Sequence, residues 1–111
     1  LTGNGSAFQA SLAAGARGAI LAVALFAPEL SRLVYHAALA HDDAAATDAQ
    51  ARLAPLAGTI VGTYGVAGVK AALDGVGLRG GPVRPPLQPL GKAELARVRT
   101  LLTHGALAAS A

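Results

Sequence analysis

His36, His41 and His104 are the three histidines of the chain, and His36 and His41 stand five residues apart. That spacing does not bring two imidazoles onto one helix face, where neighbours recur at three and four residues. The chain contains no cysteine, so it has neither a thiolate metal site nor a disulfide framework. No metal ligand set and no cofactor are assigned. Asp42 and Asp43 are adjacent carboxylates, but ahead of an alanine-rich run they read as a helix cap rather than an acid/base pair. Ser6, Ser11 and Ser31 lack the surroundings of an activated nucleophile. Lys70 lies among Val66, Val69 and Leu73, where a desolvated amine could attack a carbonyl. Asp74, four residues on, is spaced to pair with it instead, or the side chain snorkels its amine out to water. Gly3-Asn4-Gly5-Ser6 is a turn that would let a ligand approach the backbone, and a plain tight turn is the simpler reading. These residues do not form a complete catalytic set.

The elements that must hold them belong to one domain of 111 residues. Hydrophobic residues make up 53% and charged residues 14%, which excludes a disordered tail. The mean hydropathy of +0.49 is high for a small domain and implies that part of the surface meets other protein. The net charge is +3, but the basic residues are scattered from Arg17 to Arg99 with few aromatics between them. That pattern argues against nucleic acid as a partner. The longest uncharged apolar run, Gly18 to Ala27, is too short to cross a bilayer, which takes about 20 residues of helix. It fits a strand buried on both faces, a short buried helix or the apolar part of a secretion signal. Methionine is absent even at position 1, so the chain is expected to be processed or to be the C-terminal piece of a longer protein.

In order, Leu1-Thr2 reads as a strand end. A helix over residues 6–14 follows the glycine turn, with Phe8 and Leu12 inward. Ile20 and Val23 favour extended structure in the apolar run. Pro28 suits the first turn of a second helix carrying Leu30, Leu33, Val34 and Ala37. His41-Asp42-Asp43 interrupts it, and a third helix carries Leu53, Leu56, Ile60 and Val61, with Pro55 expected to kink or break it. A fourth helix over residues 66–76 turns Val66, Val69 and Leu73 to one side. Residues 79–90 hold Pro82, Pro85, Pro86 and Pro89 and read as an extended connector. The last helix, residues 92–104, places Leu95, Val98 and Leu102 on one face, and the alanine-rich tail is expected to fray. One or two strands without neighbours leave open edges.

The order Leu1-Thr2-Gly3-Asn4-Gly5, helix, Gly15-Ala16-Arg17-Gly18-Ala19-Ile20, then Pro28-Glu29 and helices resembles the end of the dihydrodipicolinate synthase/N-acetylneuraminate lyase family. Tyr64-Gly65-Val66-Ala67-Gly68-Val69-Lys70 and Gly80-Gly81-Pro82-Val83-Arg84-Pro85-Pro86-Leu87 are similar to its C-terminal helical region, and especially to its 4-hydroxy-2-oxoglutarate aldolase branch. The resemblance implies an α/β fold: residues 1–41 are the last two βα units of a (β/α)8 barrel, and residues 42–111 are the C-terminal helical region. Gly18 to Ala27 then becomes the eighth strand, expected to be short, poorly paired and unusually exposed here.

The resemblance also implies a Schiff-base lyase acting on pyruvate or related 2-oxo acids by reversible C–C cleavage or condensation. The Schiff-base lysine and the proton-relaying tyrosine are expected upstream of Leu1, so no catalytic residue is assigned in this chain. Gly3, closing strand seven, and Ile20, on strand eight, are the expected substrate-binding residues. Lys70 matches a lysine of the helical region, not the nucleophile. Leu25 replaces an asparagine common after strand eight, and Asn4-Gly5 replaces an acidic pair common in synthases. The implied protein is cytoplasmic, needs no cofactor and assembles as a tetramer or dimer without nucleic acid or membrane. The competing expectation is a non-catalytic helical module for interaction or oligomerisation.

Overall fold

The computed structural model describes the backbone of residues 1–110 and the side chains of residues 1–104. The expected fraying of the tail lies outside those fully described residues. Five α-helices follow one another: α1 (Phe8–Ala13), α2 (Pro28–Leu39), α3 (Asp43–Pro55), α4 (Gly65–Gly75) and α5 (Lys92–Ser110). Two 3-10 turns, Gly5–Ala7 and Ala22–Leu25, precede α1 and α2, and a π-helical segment, Leu56–Thr63, joins α3 to α4.

Among the described residues no strand forms. The apolar run gives a single parallel bridge, Thr2 with Ala19. Thr2 N–H donates to Gly18 O at 3.1 Å, and Ile20 N–H donates to Thr2 O at 3.0 Å. Beyond Leu21 the run leaves the extended conformation and winds into the second 3-10 turn. The expectation of a strand through Ala27 is corrected accordingly. Two short segments with no third neighbour cannot hold a ladder open to water on both sides. The run is divided in burial as well. Ile20 is 78% exposed, whereas Val23 and Phe26 are buried in the core.

The helix boundaries follow from local chemistry. Asn4 Oδ1 accepts from Ser6 N–H at 3.0 Å, capping the first turn. Pro28, at the first position of α2, loses no intrahelical bond because that N–H would be free in any case. Helix α2 stops where His41 adopts a left-handed φ of 54°, and Asp42 Oδ1 then accepts from Ala45 N–H to cap α3.

Pro55 ends α3 without ending the helical path. It has no N–H to give to the carbonyl four residues back, and the chain continues with wider turns. Tyr64 N–H accordingly donates to Thr59 O, five residues back, at 3.0 Å.

One core runs from Phe8 through Val34, Leu53, Ile60 and Ala72 to Val98 and Leu101. Two expected faces hold except at one residue each: Leu30 and Val34 of α2 are buried, and Val69 and Leu73 of α4 pack partly buried against the core. Helix α4 buries Gly68 and Ala72, and Val66 is half exposed. Gly68 faces the π-helical segment, where a Cβ would meet the Ile60 carbonyl. Leu33 of α2 is likewise half exposed, and Leu30, Ser31 and Val34 face inward. Ser31 is accommodated by donating its hydroxyl to Ala27 O at 2.8 Å. No described helix is long and apolar enough to cross a membrane.

Leu53 has no exposed surface and sits at the centre of this core. Leu53→Ala is expected to lower unfolding stability by about 2–5 kcal/mol, read from the denaturant midpoint.

Candidate functional site

The bridge between Thr2 and Ala19 sets the geometry of the candidate site. Parallel pairing at that register brings Gly3 beside Ile20: a Cβ placed on Gly3 would lie 3.9 Å from Ile20 O. Both residues are exposed. Gly3 opens the loop Gly3-Asn4-Gly5-Ser6, which with Ala57, Val61 and Gly62 of the π-helical segment borders a cleft of about 190 Å³. No charged residue lines that cleft. Ile20 lies outside its wall.

The loop is held in three ways. Within it, Asn4 N–H donates to Thr2 Oγ1 at 3.3 Å, and Thr2 Oγ1 also accepts from Ser11 Oγ at 3.3 Å. Beneath it, Gly5 is buried with no room for a side chain: a Cβ there would lie 2.9 Å from Val23 Cγ1 and 3.1 Å from Ala57 Cβ. From α3, Gln50 Nε2 donates to Gly5 O at 3.0 Å and to Ser6 O at 3.2 Å. The Gln50 Oε1 accepts from Gln9 N–H at 2.8 Å. Sequence inspection passed over Gln50. The available signal was a polar residue in phase with Ala46, Ala49 and Leu53, on the inward side of its helix.

The other sequence candidates are dispersed. His36, His41 and His104 are all exposed, and His36 meets the Tyr35 ring edge-on at 5.5 Å. Among the described residues no group of histidines and carboxylates is placed to hold a metal ion. Asp42 is a cap. Leu25 is exposed and borders a separate apolar pocket of about 320 Å³ with Val76 and Leu78.

Lys70 does not pair with Asp74, and the expected i,i+4 contact is corrected. Lys70 Nζ donates to Pro82 O at 2.7 Å, and Asp74 Oδ1 accepts from Gly80 N–H at 2.8 Å. Both side chains reach past α4 to the start of the connector. Unpaired backbone groups are available there, because residues without regular structure leave their N–H and C=O free. A Cβ on Gly80 would collide with the backbone of Lys70. Lys70 and Gly80 of the two motifs are thus two parts of one clasp.

Residues 1–105 match the dihydrodipicolinate synthetase family, and the chain belongs to that family. Over 101 residues it is 39% identical to 4-hydroxy-tetrahydrodipicolinate synthase 1 of Streptomyces coelicolor, an alignment covering 89% of this chain and 32% of that protein. The chain therefore spans about a third of that relative's length.

Two outcomes follow from this geometry. Gly5→Ala is expected to cost about 1–3 kcal/mol in a denaturation curve, because neither Val23 nor Ala57 can move without opening the core. Lys70→Met is expected to leave helical circular dichroism unchanged and to speed protease cleavage within residues 79–90, since it frees one end of the connector.

Proposed function

We propose that this chain is the C-terminal part of a Schiff-base lyase acting on pyruvate or a related 2-oxo acid. Residues 1–41 supply the last two βα units of a (β/α)8 barrel, and residues 42–111 form the helical region that follows. The observation that carries the reading is the parallel Thr2–Ala19 bridge. It sets Gly3 and Ile20 side by side at the ends of two adjacent extended segments, and in a barrel the ligand meets the C-terminal ends of the strands. Family membership supports the same reading.

In this reading the nucleophilic lysine and the relay tyrosine lie outside the chain. The lysine amine adds to the keto carbon and water leaves, giving the iminium that withdraws electrons during C–C cleavage or condensation. Gly3 brings backbone close to the keto acid, and Ile20 packs beside the Schiff base. In this reading Lys70 takes no part in the chemistry, which agrees with its amine being held by Pro82 O.

The Tyr64–Lys70 and Gly80–Leu87 motifs, and Asn4-Gly5 in place of an acidic pair, favour the 4-hydroxy-2-oxoglutarate aldolase branch, whereas the curated relative bears a synthase name. Assembly as a dimer or tetramer is supported by the exposed Leu25, Val76 and Leu78 around the apolar pocket. A cytoplasmic protein needing no added cofactor completes the proposal.

The test is reductive trapping. Pyruvate and borohydride should leave the mass of the 111-residue chain unchanged. The same treatment of the protein carrying the whole barrel should add a reduced pyruvyl group to a lysine outside this stretch. A stable adduct on Lys70 or Lys92 overturns the assignment. Cleavage of 4-hydroxy-2-oxoglutarate, compared with formation of 4-hydroxy-tetrahydrodipicolinate, decides the branch.

A further inference from the structure

We infer that Gln50 is a positioning residue: through its carboxamide, α3 sets the place at which the Gly3 backbone meets the keto acid. The inference rests on the proposed function. Its physical basis is the unusual reach of one side chain. Gln50 uses both ends of its amide, accepting from Gln9 N–H at 2.8 Å and donating to Gly5 O at 3.0 Å and Ser6 O at 3.2 Å. These three bonds join residues more than forty positions apart and span the whole turn that leads from Gly3 into α1.

The side-chain bonds among Thr2, Asn4, Ser6 and Ser11 are local and shape the turn. The bridge ties the Thr2 backbone to Gly18 and Ile20 on one side of Gly3, and the bonds from Gln50 tie Gly5 and Ser6 to α3 on the other. Gly5 is pressed on Val23 and Ala57, yet apolar contact resists approach more than it resists sliding. Directional bonds from Gln50 supply the constraint on the Gly5–Ser6 side. An amide is suited to this task because it accepts from an N–H and donates to carbonyls at once. A leucine of similar size would leave two carbonyls and one N–H to find water.

Displacement of a backbone that contacts substrate and transition state alike weakens both, so the effect falls on KM rather than kcat. The neighbouring bond from Gln9 Nε2 to Thr47 Oγ1, 2.9 Å, ties α1 to α3 without touching the turn, and it provides the control.

The experiment measures pyruvate turnover by the protein carrying the whole barrel, as wild type and as Gln50→Leu, Gln50→Glu and Thr47→Val. Gln50→Glu keeps the acceptor for Gln9 N–H and loses the donors to Gly5 and Ser6, and it serves if the leucine variant does not fold. The two Gln50 variants are expected to raise KM roughly tenfold with kcat changed less than about threefold. Thr47→Val should leave KM unchanged. Amide exchange on the same proteins should show Gln9 N–H losing protection in Gln50→Leu and keeping it in Thr47→Val. Unchanged KM in both Gln50 variants of a wild type that traps pyruvate overturns the positioning role alone. An equal rise in Thr47→Val overturns it too, by showing a general loosening of α1 on α3. A wild type that traps no 2-oxo acid overturns the functional reading and the positioning role with it.

Discussion

Gly5 has no space for a side chain, and most of this molecule is arranged around that fact. Val23 comes from the 3-10 turn that follows the bridge, and Ala57 from the π-helical segment that follows α3. Their contact with Gly5 brings three distant stretches within one van der Waals layer. Gln50 then adds directional bonds to the same point. Apolar contact supplies the closeness and hydrogen bonding supplies the register. Neither alone would hold a short turn in one place, since a glycine-containing loop has more backbone freedom to lose than any other.

The second organising device is the clasp between α4 and the connector. Lys70 and Asp74 are one turn apart and carry opposite charges, an arrangement that ordinarily stabilises an isolated helix by a few tenths of a kcal/mol. Here each is used on a backbone group of the connector instead. The exchange is favourable because an exposed ion pair contributes little, whereas a charge-assisted bond to an unpaired carbonyl or N–H satisfies a group that the helix cannot reach otherwise. A lysine and a glycine ten residues apart in sequence are thereby partners in space.

Much of the helical architecture was legible in the sequence because its signals are local. Pro28, Asp42 and the glycines after α1 and α4 mark ends through backbone chemistry that needs no tertiary knowledge. The core positions Leu30, Val34, Leu53, Ile60 and Val98 recur at helical spacing and are buried as that spacing implies. The apolar run was not legible in the same way. Its β-branched residues favour extension, but extension needs partners, and from Ala22 onward the core captures Val23 and Phe26 through a 3-10 turn instead. Lys70 misled for a related reason: spacing identified Asp74 as its neighbour, while the true partner is set by how the connector folds back. Gly3 and Ile20 were named from the family resemblance rather than from local chemistry, and the bridge sets them side by side. Gln50 was not legible, because its meaning depends on a contact forty-five residues away in sequence.

The connector itself has a consequence for the unfolded chain rather than the folded one. Pro82, Pro85, Pro86 and Pro89 fix four backbone angles before folding begins. The disordered ensemble therefore has fewer conformations to surrender when Lys70 and Asp74 take hold of Pro82 and Gly80. A segment with almost no regular structure is in this way kept ordered by what it could not do when it was free.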